Sequence, residues 1–345
     1  MCSWIVWGRF LVSRSIPLVR TGSIRPVAAW IEANGGSAER YLSGVGLGRV
    51  DLEQRERPVA MLAALAFLCR VARDEGAADL GLRVIRGDSF WELGRFGQLA
   101  TVAKTPRDLL TLVTLASPRF CTHQRITIDS HPDAPTIRFR LPDAFGREEV
   151  HLTQQYNIGM VEAICAATGL PGPYFSRIAM PPDARGGVDA LKNWFDCPLT
   201  IAPSSTMALS FEPDIADRPF VRHPSVAQDR GVWLPLREEL DFRSSALLLI
   251  GDMLADETPT VGRLAELSGM SLRTMQRRLE ADGTSFSALL DEVRRNTAIA
   301  VLANGDGTLS DLAAGLGYAG QSCLTRAVRR WMGAPPRELR ERLAS

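Results

Sequence analysis

The sequence has almost no lysine: of its 345 residues, only Lys104 and Lys192 are lysines. Arginine therefore carries nearly all of the positive charge, and a GC-rich coding bias explains this as well as a function would. Lysine and arginine together number 40 against 39 acidic residues, so the formal net charge is +1. This balance excludes a chain that binds nucleic acid through overall positive charge. A DNA-binding surface here must depend on where arginines are placed locally.

Cysteine motifs and long hydrophobic runs are also missing. The six cysteines are scattered without C-x-x-C spacing. A chain of this length does not depend on disulfides, so we expect reduced thiols and a cytoplasmic location. No uninterrupted apolar run is long enough to span a bilayer. Because Arg9 and Arg14 interrupt the apolar N-terminus, no signal-peptide core forms. We therefore expect no membrane segment, no metal and no other cofactor.

Motifs for catalysis are sparse. Cys121, His123 and His131 lie close together, but without the ligand spacing of a zinc site. The GVGLG run at 44–48 has no strand before it and no lysine after it, so a loop is favoured over a phosphate-binding turn. The serine pair at 204–205 lacks the G-x-S-x-G pattern. We predict no catalytic residues. The alternative is an enzyme acting on small molecules that carries a helical accessory domain.

The first part of the chain alternates between helical and extended patterns. Apolar residues at helical spacing predict helices over 59–73, 106–116, 149–168 and, more briefly, 188–195. Alternating patterns predict strands over 125–129, 136–141, 174–180, 199–201 and 207–211. Together these elements predict an α+β domain. The later part is almost wholly helical, with helices predicted over 236–255, 261–268, 272–281, 286–303, 309–316, 321–332 and from 336.

The helical part contains one short pattern twice. LAELSGMS at 264–271 and LAAGLGYA at 312–319 are 48 residues apart. In each copy an alanine (Ala265, Ala313) permits close helix crossing, and a glycine four residues later (Gly269, Gly317) permits a turn with positive φ. This arrangement predicts two helix-turn-helix units in tandem. A plain helical bundle would explain the alanines and glycines, but not the polar segments that follow them.

A helix rich in arginine and small polar residues follows each copy. In this motif the N-terminal end of the second helix enters the major groove. Arginine binds guanine edges and glutamine binds adenine edges, each with two hydrogen bonds. The predicted base contacts are Arg273, Thr274, Gln276 and Arg277 in the first unit, and Gln321, Ser322, Thr325 and Arg326 in the second. The predicted phosphate contacts are Arg278, Arg329 and Arg330. A charged face that contacts only solvent is the alternative.

The two units are joined by the predicted helix over 286–303, which would hold both recognition helices at a fixed separation. Adjacent major-groove segments about one helical turn apart suit such a pair. We therefore predict that one chain binds an asymmetric site on double-stranded DNA. The predicted domains are a poorly defined extension (1–20), an α+β effector-sensing or dimerisation domain (21–225), a linker (226–237) and a tandem helix-turn-helix DNA-binding domain (238–342).

Residues 240–342 resemble the AraC/XylS family of bacterial transcription regulators. The segments 271–280 and 283–286 are similar to the family's first recognition helix and the loop after it. The second-unit signature is matched by GLGY at 315–318, then by Gln321-Ser322, Arg326-Ala327, Arg330-Trp331, Gly333 and Pro336. The resemblance implies base contacts by Arg273, Gln276, Arg277, Gln321, Ser322 and Arg326.

The chain departs from that family pattern in several places. Leu324 and Val328 stand where the family usually has phenylalanine, and both remain apolar. Leu339 replaces a frequent tyrosine. Ala319 and Gly320 replace a small polar cap, which predicts a weaker N-cap for the second recognition helix.

The N-terminal half more loosely resembles the regulatory domain of the family branch that includes ornithine-utilisation regulators. GRFG at 94–97, the segment 105–110, and 194–198 with Phe211 carry this resemblance. It implies effector sensing or self-association, without identifying an effector. Activation through RNA polymerase and repression by occlusion both fit, and a homodimer is expected from the two-domain plan. Aromatic candidates to line an effector cavity, with a plain core role as the alternative, are Trp91, Phe96, Tyr156, Tyr174, Trp194 and Phe195.

Overall fold

The computed structural model describes residues 15–48, 50–129, 135–184, 186–221, 236, 241–256, 258–304 and 307–344. The chain divides into two compact units. The first contains the described residues from 17 to 221 and Leu236, and the second contains Ser15, Ile16 and the described residues from 241 onward. Apart from Leu236, the predicted linker 226–237 lies outside the described residues. Residues 1–14 of the predicted extension lie outside them as well.

The first unit contains two sheets. Strands β1 (Leu18–Arg20) and β2 (Pro58–Ala60) form an antiparallel pair. The larger sheet consists of β3 (Arg125–Asp129), β4 (Thr136–Arg140), β5 (Phe175–Met180), β6 (Leu199–Ile201) and β7 (Thr206–Phe211). Its strand order is β3-β4-β7-β5-β6, and only the β5–β6 pairing is parallel among these described strands. All five predicted strands are confirmed, and their bounds differ from the prediction by at most one residue.

The helices of this unit are α1 (Arg25–Ala33), α2 (Ala38–Ser43), α3 (Met61–Asp74), α4 (Leu80–Arg83), α5 (Pro106–Phe120), α6 (Arg147–Ala166) and α7 (Pro213–Ala216). Short 3-10 helices span Thr21–Ser23, Gly97–Thr101 and Asp189–Leu191. The predicted helix over 188–195 was therefore wrong in length. Within it only Leu191 is fully buried, while Trp194 is 43% exposed and donates its indole N–H to Asp79 Oδ2 at 3.0 Å. Val188 is buried as well, and two buried side chains are too few to stabilise a longer helix.

The core of the first unit lies between the larger sheet and helices α5 and α6. Ile158 and Ile164 of α6 belong to the same buried cluster as Ile137, Ile178 and Leu209 of the sheet. Helix α6 also buries polar side chains and satisfies them. Gln154 Nε2 donates to the Phe139 carbonyl at 2.9 Å, and Gln155 Nε2 donates to the Ala78 carbonyl at 2.8 Å. Paired in this way, buried amides fix the position of the helix at little cost.

The second unit is helical in its described part. Its helices are α8 (Phe242–Asp256), α9 (Val261–Leu267), α10 (Leu272–Ala281), α11 (Phe286–Asn304), α12 (Leu309–Gly315), α13 (Gln321–Met332) and α14 (Pro336–Ala344). The predicted start of the first helix at 236 was wrong: α8 starts after Asp241, whose carboxylate accepts the Ser244 N–H at 2.6 Å and caps the helix. None of the described helices is long and apolar enough to cross a membrane.

Candidate nucleic-acid interface

The turn between α9 and α10 closes with two backbone hydrogen bonds. Met270 N donates to the Ala265 carbonyl at 2.8 Å, and Gly269 N donates to the Glu266 carbonyl at 3.0 Å. Gly269 has a φ of +67°, and Ala265 is buried. This is the helix-ending pattern in which a left-handed glycine lets the last carbonyls of the helix find donors. It turns the chain sharply into α10.

The turn between α12 and α13 repeats this arrangement. Tyr318 N donates to the Ala313 carbonyl at 2.9 Å, and Gly317 N donates to the Ala314 carbonyl at 2.9 Å. Gly317 has a φ of +69°, and Ala313 is fully buried. Both hydrogen bonds recur at the 48-residue offset of the sequence repeat. The two copies are therefore two structurally equivalent helix-turn-helix corners, as the sequence predicts.

Helix α10 separates an apolar face from a polar one. Met275 and Leu279 are 0% and 2% exposed and hold the helix against its unit. Arg273, Gln276 and Arg277 are exposed. Because the first two turns of the helix carry these three side chains, they lie at the end that enters DNA in this motif.

The N-terminus of α10 is capped by Ser271. Its hydroxyl accepts the Thr274 N–H at 3.1 Å and lies 2.9 Å from the Thr274 hydroxyl. The Thr274 side chain, half-buried, is therefore already engaged in the cap. The methyl group of Thr274 remains available to contact a base.

Helix α13 has the same division. Leu324 and Val328 are buried, so the two departures from the family phenylalanines still fill the core. Gln321, Ser322 and Arg326 are exposed. Thr325 is half-buried, and its hydroxyl donates to the Gln321 carbonyl at 2.9 Å.

The capping of α13 is weaker than that of α10. Gly320 stands at the N-cap and provides no side-chain hydrogen bond, which confirms the weak cap predicted from the sequence. The position of the N-terminal turn of α13 therefore depends on how the helix packs against the rest of the second unit.

The three predicted phosphate contacts lie in different settings. Arg329 is exposed. Arg330 forms an ion pair with Asp291 of α11, with Nη2 2.7 Å from Oδ2. The Arg278 guanidinium is half-buried and lies 4.7 Å from the centroid of the Phe242 ring. Arg278 and Arg330 therefore already have partners within the protein, whereas Arg329 extends from the surface of α13.

The second corner is attached to the long helix α11 by Arg294. Its Nε donates to the Leu316 carbonyl at 2.9 Å, and its guanidinium lies 4.7 Å from the Tyr318 ring centroid. The Arg330–Asp291 pair adds a second link from α13 to α11. Both links join the second helix-turn-helix corner to the helix that connects the two units of the repeat.

Sequence reasoning missed a groove beside the N-terminus of α13. It has a volume of about 300 Å³ and is lined by Thr308, Ser310, Gln321, Arg337 and Arg340. Two arginines in its lining make the groove suited to an anionic group. The available signal was the arginine spacing in the tail after residue 336, where positions three apart share a helix face.

Comparison with known proteins agrees with this geometry. A helix-turn-helix domain family matches residues 264–342, the region that contains both corners. An uncharacterized HTH-type transcriptional regulator of Mycobacterium tuberculosis is 36% identical over 331 residues, covering 87% of this chain and 90% of that protein. The chain belongs to the AraC-type family of HTH transcriptional regulators. Its activity is DNA-binding transcription regulation.

Two further similar proteins carry the name of a specific regulator. The HTH-type transcriptional regulator VirS of Mycobacterium tuberculosis is 28% identical over 314 residues, covering 84% of this chain and 86% of VirS. The ornithine utilization regulator of Pseudomonas aeruginosa is 33% identical over 108 residues, or 31% of each chain. An enzyme with a helical accessory domain finds no support in these comparisons.

Several of the aromatic candidates for an effector cavity have core or surface contacts in the described part of the chain. Trp91 and Phe96 are buried in the core of the first unit. The Tyr174 hydroxyl donates to the Leu170 carbonyl at 3.0 Å, and Trp194 bonds Asp79 at the surface. Tyr156 differs, because it lines a cavity of about 90 Å³ in the first unit.

The residues considered for metal binding or catalysis have other contacts. Cys121 is buried with its Sγ 3.6 Å from Met61 Sδ, and His123 Nδ1 lies 2.6 Å from the Thr122 hydroxyl. His131 lies outside the described residues. A further histidine, His151, is buried, which lowers its pKa, and its Nδ1 lies 2.8 Å from the Pro181 carbonyl. Within the described ranges no group of three or more metal-binding side chains comes together.

Proposed function

We propose that the regulator binds one asymmetric operator with α10 and α13 in two successive major-groove segments, about 10 base pairs apart. The observation that supports this is the repetition of the corner: the same hydrogen bonds and the same left-handed glycine precede two helices with exposed polar N-terminal turns. A helix entering DNA needs a fixed entry angle and long polar side chains near its start, and both copies provide them.

In this proposal the exposed arginines and glutamines distinguish bases by paired hydrogen bonds. Arg273, Gln276 and Arg277 act in one half-site, and Gln321, Ser322 and Arg326 act in the other. Thr274 and Thr325 contribute through their methyl groups, since their hydroxyls have partners within the helix termini. A thymine methyl is the complementary group on the base.

Phosphate contacts would set the register of the protein on the duplex. The exposed Arg329 is a candidate for such a contact. Arg278 contacts Phe242 and Arg330 pairs with Asp291, and each guanidinium has further N–H groups for a phosphate. We add Arg337 and Arg340 to this set because they line the groove beside the start of α13. Fixed arginines lose less conformational entropy when they bind a phosphate.

The N-terminal domain, proposed at 21–225, would sense a small-molecule effector or form a homodimer rather than catalyse a reaction. The DNA-binding domain, proposed at 238–342, would then regulate transcription in the cytoplasm, by contact with RNA polymerase or by occlusion of a promoter. Two compact units of different architecture support this division of labour.

A footprint of the full chain on DNA upstream of its own gene, with random competitor DNA present, tests the proposal. We expect protection of one short asymmetric site. Arg277→Ala should lose discrimination at one base pair, by about 1–3 kcal/mol, and Arg329→Ala should weaken all sequences equally. Arg263→Ala on α9, where Arg263 pairs with Glu266 at 2.7 Å, is the matched control and should bind normally. Equal protection of random DNA would contradict the proposal.

A further inference from the structure

The cavity lined by Tyr156 is a partly open pocket of the first unit. It is bounded by residues of α3 and α6, by β1 and by the end of α5, and its volume is about 90 Å³. Most of its lining is apolar, with Ile24, Phe67 and Leu68 among the contributing side chains. The space is partly open to solvent, so a small ligand can enter it and remove part of this apolar lining from water.

Two polar groups of the lining have no hydrogen-bond partner among the described residues. They are the Tyr156 hydroxyl and Gln124 Nε2, and both atoms are fully buried. Burial raises the pKa of the Tyr156 phenol, so this group remains a neutral donor. Unpaired buried donors are rare in folded proteins, because each loses the hydrogen bonds that water would have given it.

The mostly apolar volume and the two donors without partners together define the kind of ligand that would fill the cavity. A single water molecule needs only about 10–15 Å³ and would leave most of this apolar volume empty. An engineered cavity of about 150 Å³ holds benzene, so a ligand here has roughly four to six heavy atoms. Two donors call for an acceptor on the ligand. None of the described residues that line the cavity is charged, so a carboxylate would bind there without a counter-charge.

We propose that this cavity is the effector site of the regulator and binds a short, neutral carbonyl compound, whose oxygen accepts hydrogen bonds from Tyr156 and Gln124. That the ligand acts as an effector rests on the proposed function. That the ligand binds rests on the cavity alone. A ketone, lactone or ester fits this class, and a free carboxylate does not.

Binding to the full chain in the absence of DNA is the test, by protein-observed NMR titration or calorimetry. Butanone and γ-butyrolactone are the neutral probes, and butanoate at pH 7.5 is the charged one. We expect saturable binding of the neutral probes, with butanoate at least about tenfold weaker. Tyr156→Phe removes the donor and keeps the ring, and should weaken binding at least about fivefold. Ala64→Leu places extra methyl groups in the cavity lining and should abolish binding.

Tyr174→Phe is the matched control, because this hydroxyl bonds the Leu170 carbonyl and does not line the cavity. It should bind the probes as the parent does. Thermal unfolding of each variant without probe verifies folding, and Tyr156→Phe should be no less stable than the parent because it removes an unpaired group.

No saturable binding of either neutral probe, equal binding by Ala64→Leu, or tighter binding of butanoate would overturn the proposal. Those results would leave sequence-selective DNA binding untouched. A chain that binds butanone but protects no DNA site would instead contradict the proposed function and leave the cavity assignment standing.

Discussion

Arg294 Nε donates to the carbonyl of Leu316 at 2.9 Å, at the point where α12 ends and the second corner begins. The same guanidinium lies over the ring of Tyr318, two residues further along the chain. One side chain of α11 therefore satisfies a terminal helix carbonyl and covers an aromatic residue of the turn. Since α13 has no side-chain cap, this contact supplements the buried face of α13 in holding the second corner.

Replacing Arg294 by Met should loosen the second corner. The variant loses the hydrogen bond that the charged guanidinium donates to the Leu316 carbonyl and one cation–π contact, which together are worth about 1–3 kcal/mol. Hydrogen-exchange mass spectrometry should show faster exchange in peptides from 309–320 and normal exchange in 264–281. Arg295→Met on the same helix is the control, because the Arg295 side chain has no hydrogen bond or ion pair among the described residues. Unchanged protection of 309–320 in Arg294→Met would show that the contact does not hold the corner.

Gly317→Ala should also destabilise the second corner. A left-handed φ of +69° costs a residue with a Cβ about 1–2 kcal/mol. The new Cβ would lie 3.3 Å from Arg294 Nη2 and disturb the contact just described. Chemical denaturation should give an unfolding free energy lower by about that amount.

Gly315→Ala, two residues earlier, is the control for that experiment. This glycine ends α12, and a Cβ there would meet no atom within 4 Å in the described structure. It should be neutral or stabilising by up to about 1 kcal/mol. If Gly315→Ala and Gly317→Ala changed the unfolding free energy equally, the positive φ of the turn would not explain the need for glycine at 317.

Both recognition helices could be placed from the sequence to the residue. Their limits depend on local signals: the glycine of the corner, the Ser271 cap, and Gly333, which has a φ of +74° and ends α13. The apolar spacing of Met275 and Leu279 likewise determines which face of α10 is buried. Such features act within a few residues, so they are visible in one sequence.

Features that depend on distant contacts were not predictable. The β1–β2 pair joins Leu18 to Ala60 through strands of three residues, too short to show an alternating pattern. The groove with Arg337 and Arg340 requires α14 to pack near the start of α12, and the cavity requires α3, α6 and β1 to meet. The partners of Arg278 and Arg330 are likewise set by packing between helices. The spacing of Arg337 and Arg340 indicates that they share a helix face, but no periodicity in the chain shows which other elements meet them.

Glu162 on α6 should make the first unit more stable in mild acid than at neutral pH. Burial raises the pKa of Glu162 from its ordinary 4.5 to about 7. The folded chain thus holds a proton that the unfolded chain releases, so the contribution is complete below pH 4.5, falls between pH 4.5 and 7, and is flat above. Glu162→Gln should remove this slope and stabilise the protein at pH 8 by on the order of 1–3 kcal/mol.

Urea unfolding followed by tryptophan fluorescence at pH 5 and pH 8 measures the Glu162 effect. Glu32→Gln, at an exposed position on α1, is the control and should change neither value much. A Glu162→Gln variant whose gain over the parent is the same at both pH values would contradict the assignment.

Arg278→Ala should have two separable effects. Loss of the contact with Phe242 should lower the unfolding free energy by about 0.5–1 kcal/mol. Loss of a phosphate contact should reduce the salt dependence of operator binding, by about 0.9 in the slope of log K against log salt concentration. Arg329→Ala should show the second effect without the first. A normal salt slope in a destabilised Arg278→Ala variant would assign that arginine to folding alone.

The most direct test of DNA binding by both α10 and α13 is selection of binding sites by the full chain from a random duplex library. We predict one enriched asymmetric site with two short motifs about 10 base pairs apart. Arg277→Ala should lose preference in one motif and Arg326→Ala in the other, with the spacing unchanged. Enrichment of a single motif, or loss of the same motif in both variants, would show that α10 and α13 do not occupy successive major-groove segments.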